Sequence, residues 1–298
     1  MALRTLAICG AAVVIGGAAF AWLTEGPDVA VRDLSGLSGD VNRGAYVARL
    51  SGCIACHTDA KNGGAVLAGG PEIATEFGSF YAPNITPHPE DGIGRWTLND
   101  FSLALTAGRS PAGEHYFPAL PYPFYTRLSD QDVVDLWAAV QSVPAVADGP
   151  PAHGLRFPFG WHRPVGFWKR LYLDPDPLPP VDGKSETWQR GRYLAEAAAH
   201  CGACHTPRTL IGGRDLDRKF EGGVGPGDEK IPPITPDALE REGWTADELR
   251  YALRTGLTPS GDSLGGSMAE VIREGTRYWS DADIAALVEY LMDPEKQR

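Results

Sequence analysis

The chain has 298 residues, 43% hydrophobic and 22% charged, enough for two ordinary domains with separate cores. Its formal net charge is −11 and its pI is near 5.1. That balance argues against nucleic acid, which selects basic faces, and suits docking with a basic soluble partner.

The N-terminus reads MALRTLAICGAAVVIGGAAFAWLTEG. Arg4 precedes an uncharged run from Thr5 to Leu23, so residues 1–24 are expected to be a signal or a membrane anchor. The apolar stretch Leu6 to Leu23 holds 18 residues, about 27 Å as a helix, which is long for a cleaved signal and just enough for a span. Ala19-Phe20-Ala21 also reads as a cleavage site, but length favours an uncleaved anchor over residues 5–23. Arg4 on the short side then puts the bulk of the chain outside the cytoplasm. Cys9, after the poor lipoprotein residue Ile8, reads as a buried membrane thiol.

Residues 38–145 form the first predicted domain. A short helix runs into CIACH (Cys53, Cys56, His57). A Gly/Pro-rich middle follows, with a helix over 98–107. An amphipathic helix closes the domain, with Val133, Leu136, Trp137 and Val140 on one face and Ser129 as its N-cap. Residues 146–187 form a linker that sets Phe157, Phe159, Trp161, Phe167 and Trp168 among prolines, and it is expected to pack in order along both domains. The second domain, 188–293, carries CGACH (Cys201, Cys204, His205), a helix over 246–254, and a last helix with Ile284, Leu287, Val288 and Leu291 on one face behind Ser280. No strand alternation is strong, so the class is all-α.

The two domains are copies. Cys53 and Cys201 differ by 148, as do Trp96 and Trp244, and Gly108 and Gly256. Arg43-Gly44-Ala45-Tyr46 returns as Arg190-Gly191-Arg192-Tyr193, and Ile85-Thr86-Pro87 as Ile234-Thr235-Pro236.

C-x-x-C-H is the attachment signature of c-type haem. Two thiols at this spacing reach the two vinyl groups of one porphyrin, and the adjacent histidine is held beneath the iron. Zinc sites gather four ligands at close spacing, whereas each cluster here offers three. Redox C-x-x-C pairs usually lack the trailing histidine, and simple disulfides would leave both histidines unexplained. Two covalently bound haem c groups are therefore expected, held by Cys53, Cys56, Cys201 and Cys204, with His57 and His205 on the irons. Asn84, Arg109 and Arg208 are candidates for propionate contact, or ordinary loop residues.

RGAYVARLSGCIACHT, AGGPEIATEFGSFYAPNITP, DGIGRW, FPALPYPFY, HCGACHTPR and GDSLGGSMAEVI together resemble the dihaem cytochromes c related to the cytochrome subunits of membrane-bound bacterial alcohol and sugar dehydrogenases. The likeness covers nearly all of 40–293. It implies helical class I cytochrome c domains and electron transfer from a periplasmic dehydrogenase toward the respiratory chain, with a soluble cytochrome or terminal oxidase as acceptor. Those subunits commonly have three haem motifs, where this chain has two. They also tend to read PAMPY, where this chain has Pro118-Ala119-Leu120-Pro121-Tyr122.

Class I cytochromes c place a methionine ligand on a loop before the last helix. The resemblance thus points to Met268, 63 residues after His205; a core methionine is the alternative. Leu120 stands 63 residues after His57, so the first haem lacks the sulfur. His115 is the first choice for a nitrogen ligand there; His88, His162 and an open iron remain alternatives. His153 and His200 read as surface or packing residues. An imidazole in place of a thioether should lower the first haem's potential, which would run electrons from the first domain to the second. No conventional catalytic constellation stands out, so the chain reads as a carrier without activity of its own. The rival reading is a haem enzyme, a peroxidase or sulfur-compound oxidoreductase, using an open first iron; a redox or ligand sensor is weaker, for want of a signalling domain.

Overall fold

The computed structural model describes residues 2–225 and 228–295, with side chains of the first helix described at 8–10 and from 13 onward. That helix, α1 (Ala2–Thr24), exposes Ile8, Val13, Val14 and Ile15. Among the described residues no helix is long and apolar enough to cross a membrane, and the span expected over 5–23 takes in side chains that lie outside them.

The first half then builds α2 (Val41–Leu50) and α3 (Cys53–His57), a hairpin of β1 (Glu72–Thr75) and β2 (Gly78–Tyr81), α4 (Leu98–Ala107), α5 (Tyr122–Tyr125) and α6 (Asp130–Ser142). The linker adds β3 (Gly154–Leu155) and α7 (Val165–Tyr172). In the second half follow α8 (Glu186–Tyr193), a π-helical turn at Leu194–Ala198, α9 (Gly202–His205), β4 (Gly223–Val224), β5 (Lys230–Ile231), α10 (Pro236–Arg241), α11 (Ala246–Thr255), α12 (Gly266–Glu274) and α13 (Asp281–Met292).

The helix starts are where the sequence predicts them. Ser129 and Ser280 accept the amides of Asp132 and Asp283. Thr97 and Thr245 each form a full capping box, with Asp100 and Glu248 as the reciprocal acids. The short sheets were not expected. β1 and β2 pair antiparallel in the register Glu72↔Tyr81, and β3 joins the free edge of β2. Strands of four residues are too short for alternation to stand out of a Gly-rich stretch.

In each half the helix leading into the motif packs on the terminal helix: α2 on α6, α8 on α13. The repeated Arg-Gly-x-Tyr explains both contacts residue by residue. The glycine lets the helices close: a Cβ on Gly44 would lie 1.8 Å from the Asp135 carbonyl oxygen, and one on Gly191 would lie 1.9 Å from that of Ala286. The arginine reaches an acid on the facing helix, Arg43 to Asp135 at 2.8 Å and Arg190 to Asp283 at 2.8 Å. The tyrosine crosses to the other half. Tyr46 donates to Asp283 at 2.7 Å and accepts the amide of Ser280 at 2.9 Å; Tyr193 donates to Asp132 and accepts the amide of Ser129 at 3.2 Å.

These crossings sit on a shared interior. Buried residues of both halves, from Leu34 and Val47 to Leu287 and Leu291, form one apolar cluster rather than the two cores that chain length suggests. The linker also binds both halves. Lys169 caps the end of α4, donating to Ala107 at 2.8 Å and Gly108 at 2.6 Å, while Trp168 donates to the Ile211 carbonyl at 3.1 Å. Of its aromatic residues, Phe157, Phe159, Trp161 and Phe167 stay exposed.

Gly44→Ala and Gly191→Ala should each destabilise the protein by about 1–3 kcal/mol through overpacking. Urea unfolding should show a lower midpoint with an unchanged slope. Gly36→Ala, at a site with open space, should leave the midpoint in place.

Candidate functional site

Each C-x-x-C-H segment folds into a single turn of helix ending in its histidine. Positions i, i+3 and i+4 share a face, so both thiols and the imidazole project together. His57 Nδ1 donates to the Pro83 carbonyl at 2.7 Å, and His205 Nδ1 to that of Pro232 at 2.8 Å. A carbonyl only accepts, so Nδ1 holds the proton and Nε2 presents its lone pair. Burial moves both imidazoles below the ordinary histidine range, against the pull of those carbonyls, and keeps them neutral at pH 7. Burial pushes the Cys53 thiol up to about 12. Such a thiol lacks the depressed pKa of a redox C-x-x-C pair. Among the described residues no group of three or more His, Cys, Asp or Glu side chains is placed to hold a metal ion.

In both halves some apolar residues are only partly covered. They pack on the core with one side, and they come in matched pairs: Ile85 and Ile234, Trp96 and Trp244, Leu98 and Ala246, Leu120 and Met268. Two thiols and a neutral imidazole on one turn, in halves that leave apolar side chains partly open, suit a flat porphyrin fixed by thioethers. Met268 stands in the first turn of α12, where Glu229 receives the Ser267 amide at 3.0 Å and its hydroxyl at 2.6 Å. A carboxylate suits a helix N-terminus. Gly266 makes room for it: its φ is +56°, and a Cβ there would lie 1.7 Å from Glu229 Oε1.

The two motifs meet. α12 of the second half packs beside α3 of the first. Burial pushes the Cys56 thiol up to about 11, and Glu270 and Cys204 of the second half add to the rise. A Cβ on Gly52 would lie 3.6 Å from His200 Cε1. The His200 ring stands 5.5 Å from that of Tyr125 and 5.9 Å from that of Phe124. His200, at φ +44°, occupies the left-handed conformation that Gly52 takes in the first motif.

His115 is buried, and both ring nitrogens have protein neighbours: Nε2 bonds the Thr24 carbonyl at 3.1 Å, and Lys169 Nζ stands 3.2 Å from Nδ1. In this arrangement His115 ties the linker to the end of α1. His162 Nδ1 bonds the His115 carbonyl at 2.8 Å. His88 Nδ1 accepts the Asp91 amide at 3.0 Å. His153 and His162 line a cavity of about 710 Å³ that also touches Pro83, the carbonyl partner of His57, and Phe117. Asn84, Arg109 and Arg208 serve backbone carbonyls: Asn84 those of Val146 and Asp148, Arg109 that of Glu25, Arg208 those of Ala203 and Gly212. Sequence reasoning missed Glu229, Lys169 and the place of His200 between the motifs. A lone lysine within an aromatic stretch was the one visible signal among them.

Two thiols and a carbonyl-anchored imidazole within one helical turn, present twice, define a c-type haem protein. No protein-family model matches the chain. It is 40% identical over 292 residues to a protein named diheme cytochrome c-type from Cereibacter sphaeroides, covering 97% of each. It is 38% identical over 254 residues to the fructose dehydrogenase cytochrome subunit of Gluconobacter japonicus, and 38% over 263 residues to the cytochrome c subunit of the quinone alcohol dehydrogenase of Gluconobacter oxydans. Each match takes in 84% of this chain, which spans about half the length of those two relatives, 52% and 54%. The chain belongs to the dihaem c-type cytochromes, and it carries two covalently bound haem c groups.

His115 gives this region a pH dependence. Burial first, then the charges of Lys169, Arg109 and Arg163, lower its pKa from 6.5 to about 4, against the Thr24 bond. A depressed histidine contributes stability that is whole above about 6.5 and is lost as pH falls toward about 4. Amide exchange over α7, corrected for intrinsic rates, should therefore speed up across that window, and His115→Asn should flatten the profile.

Proposed function

We propose that the chain is a one-electron carrier, taking electrons from a dehydrogenase and passing them toward a respiratory chain through a soluble cytochrome or a terminal oxidase. The observation that carries this reading is the close approach of the two motifs, where His200 stands against Gly52 and Cys204 acts on Cys56, each motif with a carbonyl-anchored imidazole. The names of the dehydrogenase-subunit relatives support a dehydrogenase as the donor. Attachment of haem c occurs outside the cytoplasm, which supports a periplasmic location, and α1 is the proposed anchor to the inner membrane.

Each half then acts as a cytochrome c-like module, 38–145 and 188–293, on either side of the ordered linker 146–187. Bound haem c supplies a one-electron iron couple. Cys53, Cys56, Cys201 and Cys204 would fix it, and His57 and His205 would ligate its iron. Met268 offers the second site a thioether, which favours the ferrous state and raises the potential. Leu120 offers the first site no donor, and His115 reaches an iron only on giving up Thr24 and Lys169. Electrons accordingly enter at the first half and leave from the second.

A redox titration of the holoprotein should resolve two one-electron waves. Met268→Ala should lower the upper one and abolish the weak red-edge absorption band of Met–iron bonding. A band that survives the substitution removes Met268 as ligand, and an upper wave that belongs to the first half removes the direction.

Leu120, with the cavity beside Pro83, favours a second reading: a haem enzyme, such as a peroxidase or sulfur-compound oxidoreductase, working at an open first site. Rapid, stoichiometric carbon monoxide binding at one haem of the reduced protein supports it. No binding supports the carrier.

A further inference from the structure

Residues 149–173 contain four basic residues, Arg156, Arg163, Lys169 and Arg170, and no acid, in a chain of net charge −11. The same stretch leaves its large apolar side chains uncovered: Phe157 is 92% exposed, Trp161 65%, Leu171 51% and Phe167 43%. On α7, Phe167 and Leu171 are four residues apart and share the outer face, while Val165 and Lys169 are buried on the inner one. Scattered exposed apolar residues are ordinary, but an aromatic and basic surface this dense is not.

The stretch is fastened to the end of α1. Arg170 donates to the Trp22 carbonyl at 2.9 Å and stacks 4.6 Å over the Trp22 ring, and Arg163 donates to the Thr24 hydroxyl at 3.0 Å. Phe159 is steadied from the other side by Phe77, ring centroids 4.9 Å apart. The linker therefore sits level with the last turn of the apolar helix. Arginine and tryptophan at the end of an apolar helix are the groups that settle among lipid headgroups, aromatic bodies inward and guanidinium groups at the phosphates. Glu25 and Asp28 are exposed nearby, but Asp174 at the far edge is already paired with Arg127 at 2.7 Å.

We propose that the linker face formed by Arg156, Phe157, Trp161, Arg163, Phe167 and Leu171 lies on an anionic lipid surface and holds both haem-bearing halves at a fixed height above it. The proposal rests on the reading of α1 as an anchor. A protein partner fits the face less well, because the patch continues directly from α1 and carries the opposite charge to the rest of the chain.

The full-length holoprotein is tested on vesicles of phosphatidylcholine with and without phosphatidylglycerol. Flotation reports α1, and amide exchange over 156–171 reports the linker. Flotation on both vesicles, with exchange over 156–171 slowed only where phosphatidylglycerol is present, is the expected result. Arg156→Gln should reduce that slowing by about fivefold, and Phe157→Ser should reduce it too, with flotation unchanged. Flotation with exchange equal on both vesicles, or slowed on neither, overturns the proposal and leaves the anchor standing. Failure to float overturns the anchor and the proposal together. Slowing in native bacterial membranes but not on pure lipid assigns the face to a protein partner and overturns the proposal.

Discussion

The hydrogen bonds from His57 to Pro83 and from His205 to Pro232 set the terms for everything else in this fold. An imidazole that is to bind iron through Nε2 must keep the proton on Nδ1, and only an acceptor at Nδ1 can enforce that choice. The acceptor has to arrive from a loop 26 or 27 residues downstream, at a defined distance and angle. That requires the chain after each motif to curl back over it. Much of the Gly- and Pro-rich middle of each half, and the short hairpin in the first, exists to make that return.

The halves differ most where the return ends. In the second, Glu229 builds the start of α12 and so fixes the turn that presents Met268. In the first, the corresponding loop holds Leu120, and its histidine is drawn outward to Thr24 and Lys169. One duplicated frame thus gives two unequal environments. The inequality comes from neighbours outside the repeat: the end of α1, the linker helix, and a buried lysine with no counterpart in the second half's loop.

The motifs, the 148-residue repeat and the helix caps were legible in the sequence because each is a local feature. A Ser or Thr cap needs only its own next three residues, and C-x-x-C-H carries its chemistry within one turn. The fate of His115 was not legible. Its partners come from residues 24 and 169, and no local pattern connects them. The same holds for Tyr46 and Tyr193. Their recurrence was visible, yet each one's acid lies in the opposite half. Two domains with separate interiors were the natural expectation from length; the contacts across the middle merge them.

Tandem duplication usually leaves parts that can later be shuffled, lost or fused elsewhere. Here the copies have exchanged hydroxyls: each half supplies the tyrosine that completes the other's terminal-helix cap. Neither gene fragment encodes a finished surface, since excising one removes the tyrosine that bonds a carboxylate and a serine amide on its sibling. The swap makes the ancestral doubling hard to reverse, and it ties the spacing of the two redox centres to the inheritance of the whole pair.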